Sequence, residues 1–116
     1  MKSQPVEYLE RIEDDLLQAF DFYDSWLADG AEKFTEKFDD AIRWIEWNPE
    51  LYPKKYRFYR RVILQRSYYA VYYVIEERVT TVVAVLDMRQ EPKRIRQMLE
   101  ARRKLLRAKR NQKWRR

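Results

Sequence analysis

The side chains best suited to chemistry are cations and phenols in the middle of the chain: Lys54, Lys55, Arg57, Arg60, Arg61, Arg66 and Arg89, interleaved with tyrosines. Such a set suits phosphate. Cleavage of RNA by its own 2′-hydroxyl needs a base on that hydroxyl, positive charge at the scissile phosphate and a proton for the leaving oxygen. The chain contains no His and no Cys, so acid and base would fall to Lys, Tyr, Arg or a carboxylate shifted by its neighbours. The same composition excludes His-dependent triads, a disulfide framework and zinc sites of the Cys/His kind. The plainer reading of Arg60, Arg61 and Arg66 is a solvated strand edge paired with acidic helices.

Two further clusters invite chemistry and have duller explanations. Tyr68, Tyr69, Tyr72 and Tyr73 could stack nucleic-acid bases. Neighbouring strand residues face opposite ways, so about half of the four should pack under helices beside Phe34 and Phe38. Glu13, Asp14 and Asp15 are adjacent carboxylates that point in different directions from one helix. A solvated helix face is expected there, with no metal site and no cofactor.

The elements that must position these groups follow from periodicity. Leu9, Ile12, Leu16, Ala19, Phe20, Tyr23, Trp26 and Leu27 mark one face of a first helix. Asp29 followed by Glu32 reads as a capping box opening a second helix, with Ala31, Phe34, Phe38, Ala41, Ile42 and Ile45 as its stripe. Asn48-Pro49 ends it. Beyond Pro53, residues 61–64, 68–75 and 79–86 are rich in β-branched and aromatic residues and read as strands, the last of them central. Pro92 closes the strands, and a basic helix is expected over residues 93–109. Gln4–Leu9 fits a short strand or the first turn of helix one equally well. Two helices before a run of strands indicate an α+β fold: an N-terminal helical hairpin on a small antiparallel sheet, followed by a basic C-terminal helix.

A chain of 116 residues fits one core. Its net charge of +6 is very unevenly spread. Residues 1–50 carry a net −9, residues 51–92 a net +4 and residues 93–116 a net +11. Arg102, Arg103 and the other tail cations fit nucleic-acid phosphates, an acidic protein segment or the chain's own acidic helices; the bland alternative is a partly disordered solubilising end. No segment is apolar enough to span a bilayer and the start lacks a secretory h-region, so a cytoplasmic protein without membrane contact is expected.

The order of these elements, with their wording, resembles the RelE/ParE family of bacterial toxin–antitoxin toxins. The matching text is Glu13-Asp-Asp-Leu16, Phe22-Tyr23, Ala31-Glu-Lys-Phe34, Asn48-Pro-Glu-Leu-Tyr-Pro53, Arg60-Arg-Val-Ile-Leu64, Tyr69-Ala-Val-Tyr-Tyr-Val74 and Val82-Val-Ala-Val-Leu86 with Arg89. It covers roughly residues 6–95 by motif reading, so residues 1–92 are taken as the toxin domain and 93–116 as a basic helical tail. The resemblance implies a toxin that cuts mRNA on the ribosome or inhibits DNA gyrase, with a role in plasmid stabilisation. It also implies a cognate antitoxin and assembly as a homodimer or toxin–antitoxin hetero-oligomer.

By the same resemblance, Arg61 and Arg89 would stabilise phosphate, with Lys54 or Lys55 assisting; Arg61, Arg89 and Lys54 are the catalytic set if the protein is an endoribonuclease. Lys55, Arg57, Arg60 and Arg66 are candidate nucleic-acid contacts, as are Arg102 and Arg103 of the tail, which the resemblance does not cover. One departure weakens the nuclease branch: where its members often carry a late His or Tyr, Asp87 stands after the last strand and the late aromatic is Trp114. A nonenzymatic binding protein of the same fold and a general nucleic-acid-binding protein are the alternatives.

Overall fold

The computed structural model describes residues 3–114, with side chains to Gln112. Of the tail residues named above, Arg115 and Arg116 lie outside it, as do the side chains of Lys113 and Trp114. The elements run β1 (Val6–Tyr8), α1 (Ile12–Asp24), α2 (Gly30–Trp47), β2 (Lys54–Tyr56), β3 (Tyr59–Ile63), β4 (Tyr69–Ile75), β5 (Thr80–Asp87) and α3 (Pro92–Trp114). They form one five-stranded sheet in the order β1-β5-β4-β3-β2, backed by the α1–α2 hairpin and joined by α3. The fold is α+β.

β3, β4 and β5 pair antiparallel, as expected; β2, a strand the sequence reading did not include, adds an antiparallel edge to β3, and β1 adds a parallel strand to β5 that makes the sheet mixed. That resolves the ambiguity at Gln4–Leu9 in favour of a strand. The outer edge of β5 needs partners, and β1 supplies them: Thr80 N–H donates to the Pro5 carbonyl and Leu9 N–H to the Val82 carbonyl. Gln4 adds a side-chain stitch, donating to the carbonyls of Glu76 and Glu77 and accepting from the Thr80 hydroxyl. β4 and β5 are covered on both faces, which is why their sequences are apolar nearly throughout.

The hairpin packs through Ile12, Ala19 and Tyr23 of α1 and Phe34, Phe38, Ala41 and Ile45 of α2. α1 stops at Asp24, before the apolar stripe read from the sequence does, so Trp26 and Leu27 lie exposed in the corner. The corner is tight. A Cβ on Gly30, the only glycine in the chain, would collide with the carbonyl of Tyr23. This close approach also replaces the expected capping box. Asp29 makes no side-chain cap and pairs with Lys33 at 3.5 Å, while Asp24 accepts from the Ala31 N–H at 2.8 Å. Asn48 is extended ahead of Pro49, ending α2 as expected.

The acidic run at the start of α1 is not uniformly solvated. Glu13 and Asp14 are exposed, but Asp15 is buried. Its carboxylate receives two hydrogen bonds from the Arg102 guanidinium, at 2.6 and 2.8 Å, and one from the Val85 N–H at 2.9 Å. Arg102 also donates to the Val83 carbonyl at 2.9 Å. β5 carries a bulge here: Tyr72 pairs with Ala84 and Tyr73 with Val82, leaving Val83 without a partner on β4. The ion pair therefore satisfies backbone groups that neither β1 nor β4 reaches, and it ties α1, β5 and α3 together.

α3 belongs to the core. Ile95, Leu99, Arg102 and Leu106 are buried at helical spacing, and the Tyr59 hydroxyl donates to the Leu99 carbonyl at 3.2 Å. Further along, Lys109 pairs with Glu7 at 2.8 Å and Arg110 with Glu76 at 2.5 Å. Burial alone would push the Glu76 carboxyl up. Hydrogen bonds from Thr81 and Arg110, with the nearby Lys109 charge, outweigh it and hold the group below the usual carboxylate range.

Two outcomes are expected. Arg102→Met should cost about 3–5 kcal/mol by stranding a buried carboxylate, seen as a large drop in thermal midpoint. Adding Asp15→Leu should recover only part of it, because the Val83 carbonyl and Val85 N–H stay unsatisfied at about 1–3 kcal/mol each; full recovery would show that the backbone bonds matter little. Second, Glu76 titrates lower folded than unfolded, so its contribution is present above the ordinary carboxylate range and is lost as pH falls through its lowered folded value. Glu76→Gln should lower stability at pH 7 and flatten that part of the acid limb in melts between pH 6 and 3.

Candidate functional site

The sheet distributes the cations over two surfaces. On the α3 side, Arg61 of β3 pairs in register with Tyr72 of β4. The Tyr72 ring is fully buried and stacks on Tyr56, with centroids 6.3 Å apart. Burial raises the pKa of the Tyr72 hydroxyl and the adjacent Arg61 charge opposes the rise. Arg61 is near without completing a well-formed hydrogen bond: among the described residues, this hydroxyl is the one buried side-chain polar atom that lacks a partner. Lys54 and Lys55 are exposed on the neighbouring edge strand β2. Arg57 holds a left-handed backbone (φ 51°) in the β2–β3 turn and pairs with Glu100 of α3 at 3.5 Å.

Arg60, one residue along from Arg61, faces the other way and is used structurally. It donates to the carbonyls of Tyr52 (2.7 Å) and Glu50 (3.4 Å), pinning the segment after α2. Nearby, the Tyr73 hydroxyl donates to the Pro49 carbonyl at 2.6 Å, and burial pushes its pKa up to about 12.

The second surface lies where β5 ends against α1. Here Arg89 is clamped. Its guanidinium sits 4.2 Å from the Tyr68 ring centre and 4.7 Å from that of Phe22, and it binds both carboxylate oxygens of Asp87. Hydrogen bonds from Arg89 hold the Asp87 carboxyl below its usual range, despite partial burial. Asp87 pairs in register with Tyr69, three residues along β4 from the Tyr72 that faces Arg61. Arg61 and Arg89, both expected to stabilise phosphate, therefore lie at different positions on the sheet. Arg66, also left-handed (φ 54°), occupies the exposed β3–β4 turn, where its carbonyl accepts from Lys37 at 3.3 Å.

Arg102, expected among the nucleic-acid contacts, has a side chain 8% exposed that is committed to Asp15 and the Val83 carbonyl rather than turned to solvent. Arg103 does face outward, pairing with Glu100 at 3.3 Å and lying 5.8 Å from the Phe58 ring centre. Of the tyrosines, Tyr69 packs against Phe34 at 5.5 Å and Tyr72 against Tyr56 on the other side, as alternation requires, while Tyr68 is exposed.

The groups whose titration is shifted move away from neutrality. Tyr59, Tyr69, Tyr72 and Tyr73 move up, and Glu76 and Asp87 move down. None of these is thereby poised to trade protons near pH 7.

Sequence reasoning missed Asp15 and Arg102 as partners. A signal was present: each occupies an inward position of its helix stripe, Asp15 between Ile12 and Ala19, Arg102 between Leu99 and Leu106. It also missed Glu100, Phe58 and the ring clamp on Arg89, whose roles arise from contacts between distant segments.

A third feature is partly apolar. Two adjoining clefts of about 400 and 410 Å³ lie along α2 and share Lys37; the first is mainly apolar, the second mixed, with Asp40 and Gln65 among its lining residues. Trp26, Leu27 and Tyr68 line one; Trp44, Val62 and Ile63 line the other. No helix of the described residues is long and apolar enough to cross a membrane.

With this geometry in hand, comparison with known proteins is informative. Residues 6–92 match the family model described as "ParE toxin of type II toxin-antitoxin system, parDE". The match ends where α3 begins. No curated protein sequence matches significantly. Among solved structures, one described as "Chromosomal ParDE TA system from P. aeruginosa" superposes with a TM-score of 0.63 at 11% identity, over 72% of this chain and 94% of that one. The fold is shared with that structure, and the family model spans most of the chain: the protein belongs to the ParE toxin family of type II toxin–antitoxin systems.

Proposed function

We propose that this chain is a toxin that acts by binding its target, DNA gyrase, and that a cognate antitoxin neutralises it. The observation that carries binding over cleavage is the separation of Arg61 from Arg89, together with the neutralisation of Arg89 by Asp87. A phosphodiester-cleaving site needs its charges converged on one phosphate. Here one arginine lies beside Tyr72 and the other is held between Phe22 and Tyr68. The ParE family match supports the gyrase branch, and mRNA cleavage on the ribosome is the competing reading. Residues 1–92 form the toxin domain in this reading and 93–116 a basic addition, whose described part, α3, packs onto it.

The antitoxin's seat is the pair of clefts along α2. They offer exposed Trp26, Leu27 and Trp44 to apolar side chains, with Lys37 shared between them, Lys33 (paired with Asp29) lining the first and Asp40 the second. An apolar segment bearing acidic residues fits that combination. The antitoxin acts there without removing α3, whose displacement would expose Ile95, Leu99 and Leu106 and break the buried ion pair.

Expression of the chain alone should arrest growth, and co-expression with the gene beside it should restore growth. Purified protein should inhibit gyrase supercoiling in a concentration-dependent way and leave ribosome-bound mRNA intact. Cleavage of that mRNA, lost on Arg61→Ala, would overturn the binding reading in favour of the nuclease. For the antitoxin seat, Trp44→Asp should preserve toxicity while weakening rescue by about 10-fold or more in antitoxin dose. Unchanged rescue would place the antitoxin elsewhere.

A further inference from the structure

The outward face of α3 meets the β2–β3 turn in a pattern that toxicity by itself does not require. Two rings on that turn are each flanked by two cations. Lys55 and Arg96 lie 5.6 and 5.9 Å from the Tyr56 ring centre. Arg57 and Arg103 lie 5.9 and 5.8 Å from that of Phe58. Arg96 and Arg103 are two helical turns apart on α3, about 10 Å along its axis. Between the turn and the helix runs a groove of about 320 Å³ with Tyr56 and Tyr59 on one wall and Lys93, Arg96 and Gln97 on the other. Lys104 and Arg107 continue the exposed cations along the helix.

One carboxylate interrupts this surface. Glu100, the only acidic residue after position 92, reaches both Arg57 (3.5 Å) and Arg103 (3.3 Å). It lowers the positive field at the middle of the groove and occupies the two guanidinium groups that flank Phe58.

We propose that this face binds single-stranded nucleic acid, with phosphates along the α3 cations and bases on the exposed Phe58 ring and the groove-lining side of Tyr56, and that Glu100 acts as an electrostatic brake on it. The alternation of rings with cations selects this partner. A duplex keeps its bases stacked inside and leaves the rings unused; an acidic peptide would pair with the cations and also leave them unused. Single-stranded nucleic acid supplies both an exposed base face and a phosphate at each step. Arginine, which predominates here, matches phosphate with two parallel hydrogen bonds. The proposal stands independently of the gyrase reading, because binding is measured on the purified chain without reference to toxicity.

The test is fluorescence anisotropy of the full-length chain with a labelled oligouridine of about 12 nucleotides, in competition with an equally long duplex and an oligoglutamate peptide. The single strand should compete best, and its affinity should fall with salt by a log–log slope of about 0.7 per phosphate engaged. Phe58→Ala should weaken binding about 5-fold or more through lost stacking. Arg96→Ala should weaken it and reduce the salt slope, whereas Glu100→Gln should tighten it about 3-fold by freeing two arginines. Phe58, Arg96 and Glu100 are exposed, so thermal melts of the variants should stay close to that of the parent. Binding unaffected by Phe58→Ala, or unchanged or weakened by Glu100→Gln, would overturn the proposal. So would better competition by the duplex or by the acidic peptide.

Discussion

The buried pair between Asp15 and Arg102 is the contact on which the rest of the architecture hangs. A buried ion pair is in general a poor source of stability, because removing two charges from water costs nearly what their attraction returns. This one does more than pair charges. It completes the hydrogen bonding of β5 at its bulge, where Val83 has no partner on β4 and β1 has already ended. Hydrophobic replacements of similar volume would leave a carbonyl and an N–H orphaned in the core. The pair is therefore better understood as a piece of the sheet made from side chains, holding α1 and α3 against the same strand.

That contact changes the meaning of the basic C-terminal segment. Its net +11 looks like a solubilising or ligand-seeking tail when read as composition. In three dimensions the cations divide by face. Arg102 and Lys109 turn inward onto Asp15 and Glu7, and the exposed Arg110 pairs with Glu76, so part of the charge is neutralised by the acidic residues of the chain itself. Lys93, Arg96, Lys104 and Arg107 remain exposed. The segment beyond the family-matched span is thus both structural and outward-looking, and what it offers to a partner is the outward row alone.

The middle cations divide in a similar way. Alternation along β3 sends Arg60 to the segment after α2 and Arg61 toward Tyr72. Arg89 is held by Asp87 and two rings where β5 ends. A set that looks like one phosphate site in sequence becomes a structural arginine, an arginine beside an orphaned hydroxyl and a clamped surface arginine.

Much of the fold was legible from local chemistry alone. The α2 stripe, the stop at Asn48-Pro49, the double-sided burial of β5 and the basic helix after Pro92 all follow from periodicity and proline geometry, which depend on neighbours within a few residues. The tertiary structure decided the rest. It chose strand over helix at Val6–Tyr8 because β5 had an open edge to fill. It replaced the Asp29 cap with Asp24 because Gly30 lets α2 press against Tyr23. It took Asp15 and Arg102 out of solvent, although Asp14 and Arg103 beside them face outward. The physical reason is common to all three. A charge or an unpaired backbone group is satisfied by whatever lies within about 3 Å, and partners separated by dozens of residues come that close only once the chain has folded.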